Sequence, residues 1–327
     1  MLNSFLIGIL TSGILKIYTD NINKKRHVID REKVRRLSKL DIKKIPYVDV
    51  RQKYEQEIQN FISVIKEKLS YVDLTIYNRN IEELVINETN LENGIDGQYS
   101  VDGIRIKLLH NDKGRSLTHE LLHLASSFLS GEIKFSGFHQ VSNKLNIGRG
   151  LNEGYTTLLD SRYFDSSDKS YLVAKVFAET IEKIVGQEKM TKIYFKADLY
   201  GLVKELSKYC IENDVYLVIK NIDDINKMLS NLNQRELSSD ENSLIQEQCD
   251  EIVRILFSCY INKLDSDIEQ NLITTSQFKN LLWEFIDCIG FSFSAPNFYI
   301  ELLSADLFSE LVKENFFNDK GTIASKK

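Results

Sequence analysis

Proline is nearly missing from this chain. Pro46 and Pro296 are the only two in 327 residues, so few segments are obliged to break and a helix-rich protein is the default expectation. Cysteine is scarce as well. Cys210, Cys249, Cys259 and Cys288 show no C-x-x-C spacing, which argues against a thiolate zinc site. Three of them continue helical stripes: Cys210 with Val203 and Leu206, Cys259 with Ile252 and Leu256, Cys288 with Leu281 and Phe285. They are expected as buried reduced thiols in a reducing compartment. Neither sign of charge dominates, with 42 basic residues against 47 acidic ones, and the basic residues form no single stripe, so nucleic acid is not an expected partner. The densest basic stretch, Lys24 to Lys44, is interrupted by Asp30, Glu32 and Asp41 and reads as a solvated helix face or linker, with a phosphate-binding arm as the alternative. A long apolar run is also lacking. Residues 2–15 are apolar, but Lys16 closes them short of the ~20 residues a membrane span needs, and neither a preceding positive charge nor a small-x-small cleavage site accompanies them. A packed or peripheral first helix in a cytoplasmic protein is the expectation. A membrane anchor or export signal through residues 2–15 is the alternative.

What is present suits a folded protein. Hydrophobic residues make up 43% and charged residues 27%, enough for a core and ordinary for a soluble chain. The length favours two packed lobes over one. Residues 47–69 carry Val50, Tyr54, Ile58, Phe61 and Ile65 at helical spacing. Two alternating stretches follow, Val72, Leu74 and Ile76 within Tyr71–Tyr77, and Ile104, Ile106 and Leu108, both in the manner of half-buried strands. Asp102-Gly103 ahead of the second is hairpin chemistry, so a small antiparallel sheet is expected. From about Asp168 onward apolar stripes recur in 171–186, 198–210, 244–262, 277–289 and 298–316. The expected fold is therefore α+β and helix-rich, in three parts: an apolar segment and basic linker over 1–45, a mixed region over 46–165 that carries the chemistry, and an all-helical region over 166–327.

The chemistry centres on His119-Glu120-Leu121-Leu122-His123. Residues 116–130 read as one helix with Ser116 as N-cap and Leu117, Leu121, Leu124 and Phe128 as its buried stripe. Four residues apart on it, His119 and His123 bring both rings to one face, which suits two neighbouring corners of a tetrahedral zinc site. Glu120 projects beside such a metal, where a carboxylate takes a proton from zinc-bound water and hands it to a leaving amine. The alternative is two surface histidines on an ordinary helix, which conflicts with the flanking apolar stripe. A catalytic site needs a third protein ligand. Leu129 stands where the metzincin pattern has its third histidine and Ser126 where it has glycine, so that pattern is not met.

Some thirty residues on, Gly148-Arg149-Gly150-Leu151-Asn152-Glu153-Gly154-Tyr155-Thr156 opens a second helix, with Asn152 as a suitable cap and Glu153 in its first turn. Here the chain resembles the gluzincins, the thermolysin-like clan in which a downstream helix supplies a glutamate ligand. It is closer still to bacterial metallopeptidase-like proteins with a leucine-asparagine-glutamate-glycine-x-threonine segment. The resemblance covers roughly residues 95–165. It implies a zincin-like catalytic region, one zinc ion on His119, His123 and Glu153, and a peptide or protein substrate lying along the strand before the zinc helix, here Ile104–Leu108. Thr157 departs from the pattern, which has an acid there. Asp160, seven residues past Glu153 on the same face, is either the outer partner of the histidines or a surface acid. An oxyanion needs a further donor. Tyr155 and His139 are the first candidates, ahead of Arg149 and Tyr163, and each is otherwise a packing or loop residue.

The expected activity is thus zinc-dependent peptide-bond hydrolysis. Two rivals stand beside it: a regulatory protease cutting one partner protein, and a non-catalytic scaffold whose helical region is the working surface.

Overall fold

The computed structural model describes residues 49–91, 96–110, 116–166, 171–230 and 236–289. Expectations for residues 1–45 and for the stripe at 298–316 lie outside these.

The first helix follows from its periodicity. In α1 (Glu55–Lys68), Ile58, Phe61 and Ile65 are buried, with Glu55 and Glu57 in the first turn and Lys66 and Lys68 in the last, each sign matching the helix dipole. The next element corrects the sequence reading, because Tyr71–Tyr77 is not a strand. Asp73 accepts the backbone N–H and the hydroxyl of Thr75 at 2.9 and 2.7 Å, and this local acceptor starts α2 (Thr75–Glu83). Tyr77 and Asn80, three apart, are its buried face.

Three strands follow: β1 (Val85–Thr89), β2 (Gly97–Ser100) and β3 (Arg105–Leu109), in the spatial order β1-β3-β2. The expected hairpin is there, closed at Ser100 and Arg105 by a turn with Gly103 at φ 82°. The sheet is mixed, however, because β1 pairs β3 in parallel. Both edges of β3 are therefore taken, which overturns the expectation of a free edge at Ile104–Leu108; among the described strands the outer edge on this side is that of β2.

Helix α3 (Leu117–Ala125) is shorter than 116–130. Asn80 donates to the carbonyls of Leu124 and Ser127 at 2.9 and 2.7 Å, and Gly137 N–H donates to Ser126 O at 2.7 Å. The chain is thereby captured into a second, antiparallel sheet of β4 (Ser127–Ser130), β5 (Ile133–Ser136), β6 (His139–Val141) and β7 (Asn146–Ile147). Phe128 lies in β4, stacked on Phe135 of β5 at 4.8 Å, and not on the helix stripe.

Helices α4 (Arg149–Tyr163), α5 (Leu172–Val185), α6 (Gln187–Phe195), α7 (Leu199–Leu206), α8 (Glu212–Ser230), α9 (Ser239–Glu269) and α10 (Thr275–Ile289) complete the α+β, helix-rich fold. α4 packs against α3, α5 and α8. Two glycines make this close: a Cβ on Gly150 would lie 2.6 Å from Ile222 O of α8, and one on Gly154 2.3 Å from Ala174 O of α5. Buried apolar side chains from Tyr54 to Phe285 form one connected core.

The cysteines are also corrected. Cys210 and Cys259 are joined in a disulfide, their Cα atoms 5.2 Å apart, while Cys249 is a buried free thiol. Cys259 continues the buried stripe of α9 as expected, whereas Cys210 lies past the end of α7 and is half-buried. Among the described residues, no helix is long and apolar enough to cross a membrane.

Candidate metal centre

Helix α3 is buried on almost every side. Its polar residues are inside the protein: His119, Glu120 and His123 are 7%, 6% and 6% exposed. Burying three ionisable groups is costly unless they meet partners, and they do. Nε2 of His119 and Nε2 of His123 are 3.1 Å apart, and each is 3.3 Å from Oε2 of Glu153. Two ligands held 2.0–2.1 Å from a zinc ion at a tetrahedral angle lie about 3.3–3.4 Å from each other. The triangle has that size, so a cation among the three atoms would satisfy them together. His119, His123 and Glu153 can therefore hold a metal ion.

The electrostatics fit the same picture. Burial pushes the Glu153 carboxyl up, but His123 and His119 overrule it and hold the group well below the usual range. Burial opposes charge on His119, yet Glu153, Glu120 and Asp160 raise its pKa to about 9. Glu120 stands outside the triangle. Its pKa is raised, by burial first, against the opposing pull of both histidines.

Glu153 reaches the histidines because α4 starts earlier than the sequence suggested. Gly148, at φ 83°, is the cap, and Asn152 lies inside the first turn. This corrects its assignment as the cap and gives it another role. Its Nδ2 is 3.2 Å from His123 Nδ1, and its Oδ1 accepts the Phe138 N–H at 3.1 Å. A Cβ on Gly137 would lie 2.1 Å from that Oδ1, so glycine is needed for the approach. The Asn152 side-chain amide thus lies against the far ring nitrogen of His123. Asp160 accepts from Thr118 Oγ1 at 2.5 Å and acts on His119 through its charge. It is buried, not a surface acid. His119 Nδ1 is buried with no hydrogen-bond partner among the described residues.

The two oxyanion candidates part company. Tyr155 lies about 200° around the helix from Glu153. Its hydroxyl donates to Glu182 at 2.8 Å and meets Thr191 Oγ1 at 2.9 Å, within an aromatic cluster with Phe138 and Tyr194. It faces the core and not the metal centre, which corrects that assignment. His139 on β6 is half-buried, with Nε2 2.8 Å from Asn146 Oδ1. It is near enough to Glu153 and His123 for their charges to act on it, and burial lowers its pKa. Of the other two, Tyr163 accepts from Gln187 Nε2 at 2.7 Å, and Arg149 is exposed at the start of α4.

Two site residues escaped the sequence reading. Tyr171 stacks on the His119 ring, centroids 6.1 Å apart. Gly97 lets β2 pass at backbone distance from α3: a Cβ there would lie 2.7 Å from Ser116 Oγ and 2.9 Å from Glu120 Oε1, and the Tyr99 N–H donates to the Glu120 carboxylate. A glycine within a strand was the available signal. Comparison of the chain with protein-family models, with curated proteins and with solved structures finds no match.

Proposed function

We propose that this chain is a zinc-dependent metallopeptidase of gluzincin type. The observation that carries the reading is the buried triangle of His119, His123 and Glu153 with a non-ligating, buried Glu120 one residue from its first corner. Zinc, once bound, supplies a Lewis acid that polarises the scissile carbonyl and acidifies water. Glu120 takes up the proton of the attacking water and releases it to the departing amine, its raised pKa bringing it closer to neutral pH. The outer edge of β2, whose Tyr99 N–H meets Glu120, replaces Ile104–Leu108 as the strand along which an extended peptide is held. His139, near enough to Glu153 and His123 for their charges to act on it, would donate to the oxyanion by turning its Nε2–H away from Asn146 Oδ1.

One observation favours the narrower version of this activity, a protease with few protein substrates. The histidines are 6–7% exposed and the Glu153 side chain 15%, so access to the centre is tight. The test is zinc content per chain for wild type, His123→Ala and Glu153→Ala, then cleavage of a proteome-derived peptide library by wild type and Glu120→Gln. About one zinc in wild type, loss in both ligand variants, and cleavage abolished by Glu120→Gln with zinc retained are expected. Wild type that takes up no zinc, or Glu120→Gln that cleaves as fast, defeats the proposal.

A further inference from the structure

Helix α4 begins on a residue without a side chain. Gly148 occupies its cap position at φ 83°, and a Cβ there would lie 2.0 Å from the carbonyl oxygen of Phe138. No serine, aspartate or asparagine can stand at this position, so the first N–H groups of α4 need an acceptor from elsewhere. Asp223 of α8 provides it. Oδ2 accepts the Gly148 N–H at 2.7 Å and Oδ1 accepts the Gly150 N–H at 2.6 Å. A carboxylate at this end of a helix is favoured by the dipole. Burial raises the Asp223 pKa to about 6, with Asp224 adding to the rise, while the two N–H groups and Arg149 oppose it. The fold keeps a carboxylate here in spite of that cost.

The route from Asp223 to the metal ligands is short. Gly148 O accepts the Asn152 N–H at 2.9 Å, the Asn152 side chain reaches His123, and Glu153 is the next residue. We propose that Asp223 is a positioning residue of the metal centre, clamping the first turn of α4 from another helix and so fixing Asn152 and Glu153 against His119 and His123. The inference rests on the metal-binding reading of that centre. Under it, the helical half of the chain sets the affinity of a site whose ligands all precede residue 165.

The test is zinc affinity, by competition with a chromophoric chelator, for wild type, Asp223→Ala, Asp223→Asn, Glu153→Ala and the double variant Asp223→Ala/Glu153→Ala, each with a thermal melt. Asp223→Ala is expected to weaken binding by about 10- to 100-fold, the usual range for an outer partner of a metal ligand. Asp223→Asn keeps one acceptor oxygen and is expected to lose less. Because the clamp acts in part through Glu153, Asp223→Ala is expected to cost clearly less in the Glu153→Ala background than in wild type, the mark of coupled sites. Unchanged affinity in Asp223→Ala overturns the inference, as does an equal loss in both backgrounds, which would mean general loosening. If Asp223→Ala does not fold, Asp223→Asn is judged by the same comparison. Wild type that takes up no zinc overturns the metallopeptidase reading and this role with it. Zinc-binding wild type with unaffected Asp223 variants overturns the clamp alone.

Discussion

Replacing Gly97 by alanine tests the role of Glu120 without touching a metal ligand. The added methyl would sit 2.7 Å from Ser116 Oγ and 2.9 Å from Glu120 Oε1. Carbon contacts are comfortable from about 3.5 Å, so one or both partners must move by roughly 0.6–0.8 Å. Ser116 adjoins the first turn of α3, and Glu120 is buried and held by the Tyr99 N–H, so Glu120 has little room to yield. Misplacing a catalytic group by about 1 Å costs on the order of 10²-fold in rate. A loss of about 10- to 100-fold in cleavage is therefore expected, smaller than that of Glu120→Gln, where removing the base costs roughly 10²- to 10⁴-fold. Overpacking costs about 1–3 kcal/mol, or a fall in melting temperature of roughly 1.5–4.5 °C for a chain of this length. Zinc content is expected to stay at the wild-type level, since the three atoms nearest the methyl belong to Ser116 and Glu120. The assay is mass-spectrometric counting of cleaved peptides in a proteome-derived library, with zinc measured on the same samples. Cleavage at the wild-type rate would refute the geometry assigned to Glu120, and loss of zinc alongside activity would refute its independence from the metal triangle.

Asn152→Ala removes the amide beside His123 and is expected to weaken zinc binding by about 10- to 100-fold; a chelator titration that matches wild type would show that the 3.2 Å approach does not matter. Tyr155→Phe strips a hydroxyl from between Glu182 and Thr191 and is expected to cost about 1–3 kcal/mol of stability while zinc-loaded enzyme turns over as before, so a fall in turnover would return Tyr155 to the active site. Cys210→Ser opens a disulfide spanning 49 residues, for which loop-closure entropy gives about 4 kcal/mol. A melt unchanged by this variant and by reductant, or four free thiols in the unreduced denatured chain, would count against the bridge.

The legible parts of this protein were the local ones. His119 and His123 share a face because four residues make one turn, a relation fixed within α3 itself, and the stripes of α1 and α5 follow from the same period. Short windows were ambiguous. Val72, Leu74 and Ile76 alternate like a strand, but the Asp73-x-Thr75 acceptor at the start of α2 decides the matter, and three apolar residues carry too little signal to outweigh it. Phe128 continued the stripe of α3 on paper; Asn80, forty-four residues upstream, catches the Leu124 carbonyl and ends the helix there. Glu153 was reached only through a resemblance, since nothing local ties it to His119. Asp223 and the Cys210–Cys259 bridge depend on which helices pack together, which periodicity alone does not give.

Helix α4 explains why the catalytic reading and the scaffold reading do not fall on separable halves of the chain. One of its faces presents Glu153 to α3. Its glycines at 150 and 154 admit α8 and α5 to backbone distance, and its opposite face buries Tyr155 among Phe138 and Tyr194. A helix gripped this way on several sides has little freedom to shift, and an ion held by two ligands from one helix and one from another requires that the two helices keep a fixed separation. The helices after residue 165 supply that constraint. On the metallopeptidase reading, disrupting α5 or α8 would therefore loosen Glu153 as well, so loss of function in such a variant would not by itself favour a scaffold. A change that acts on Glu120, such as Glu120→Gln, separates the two roles.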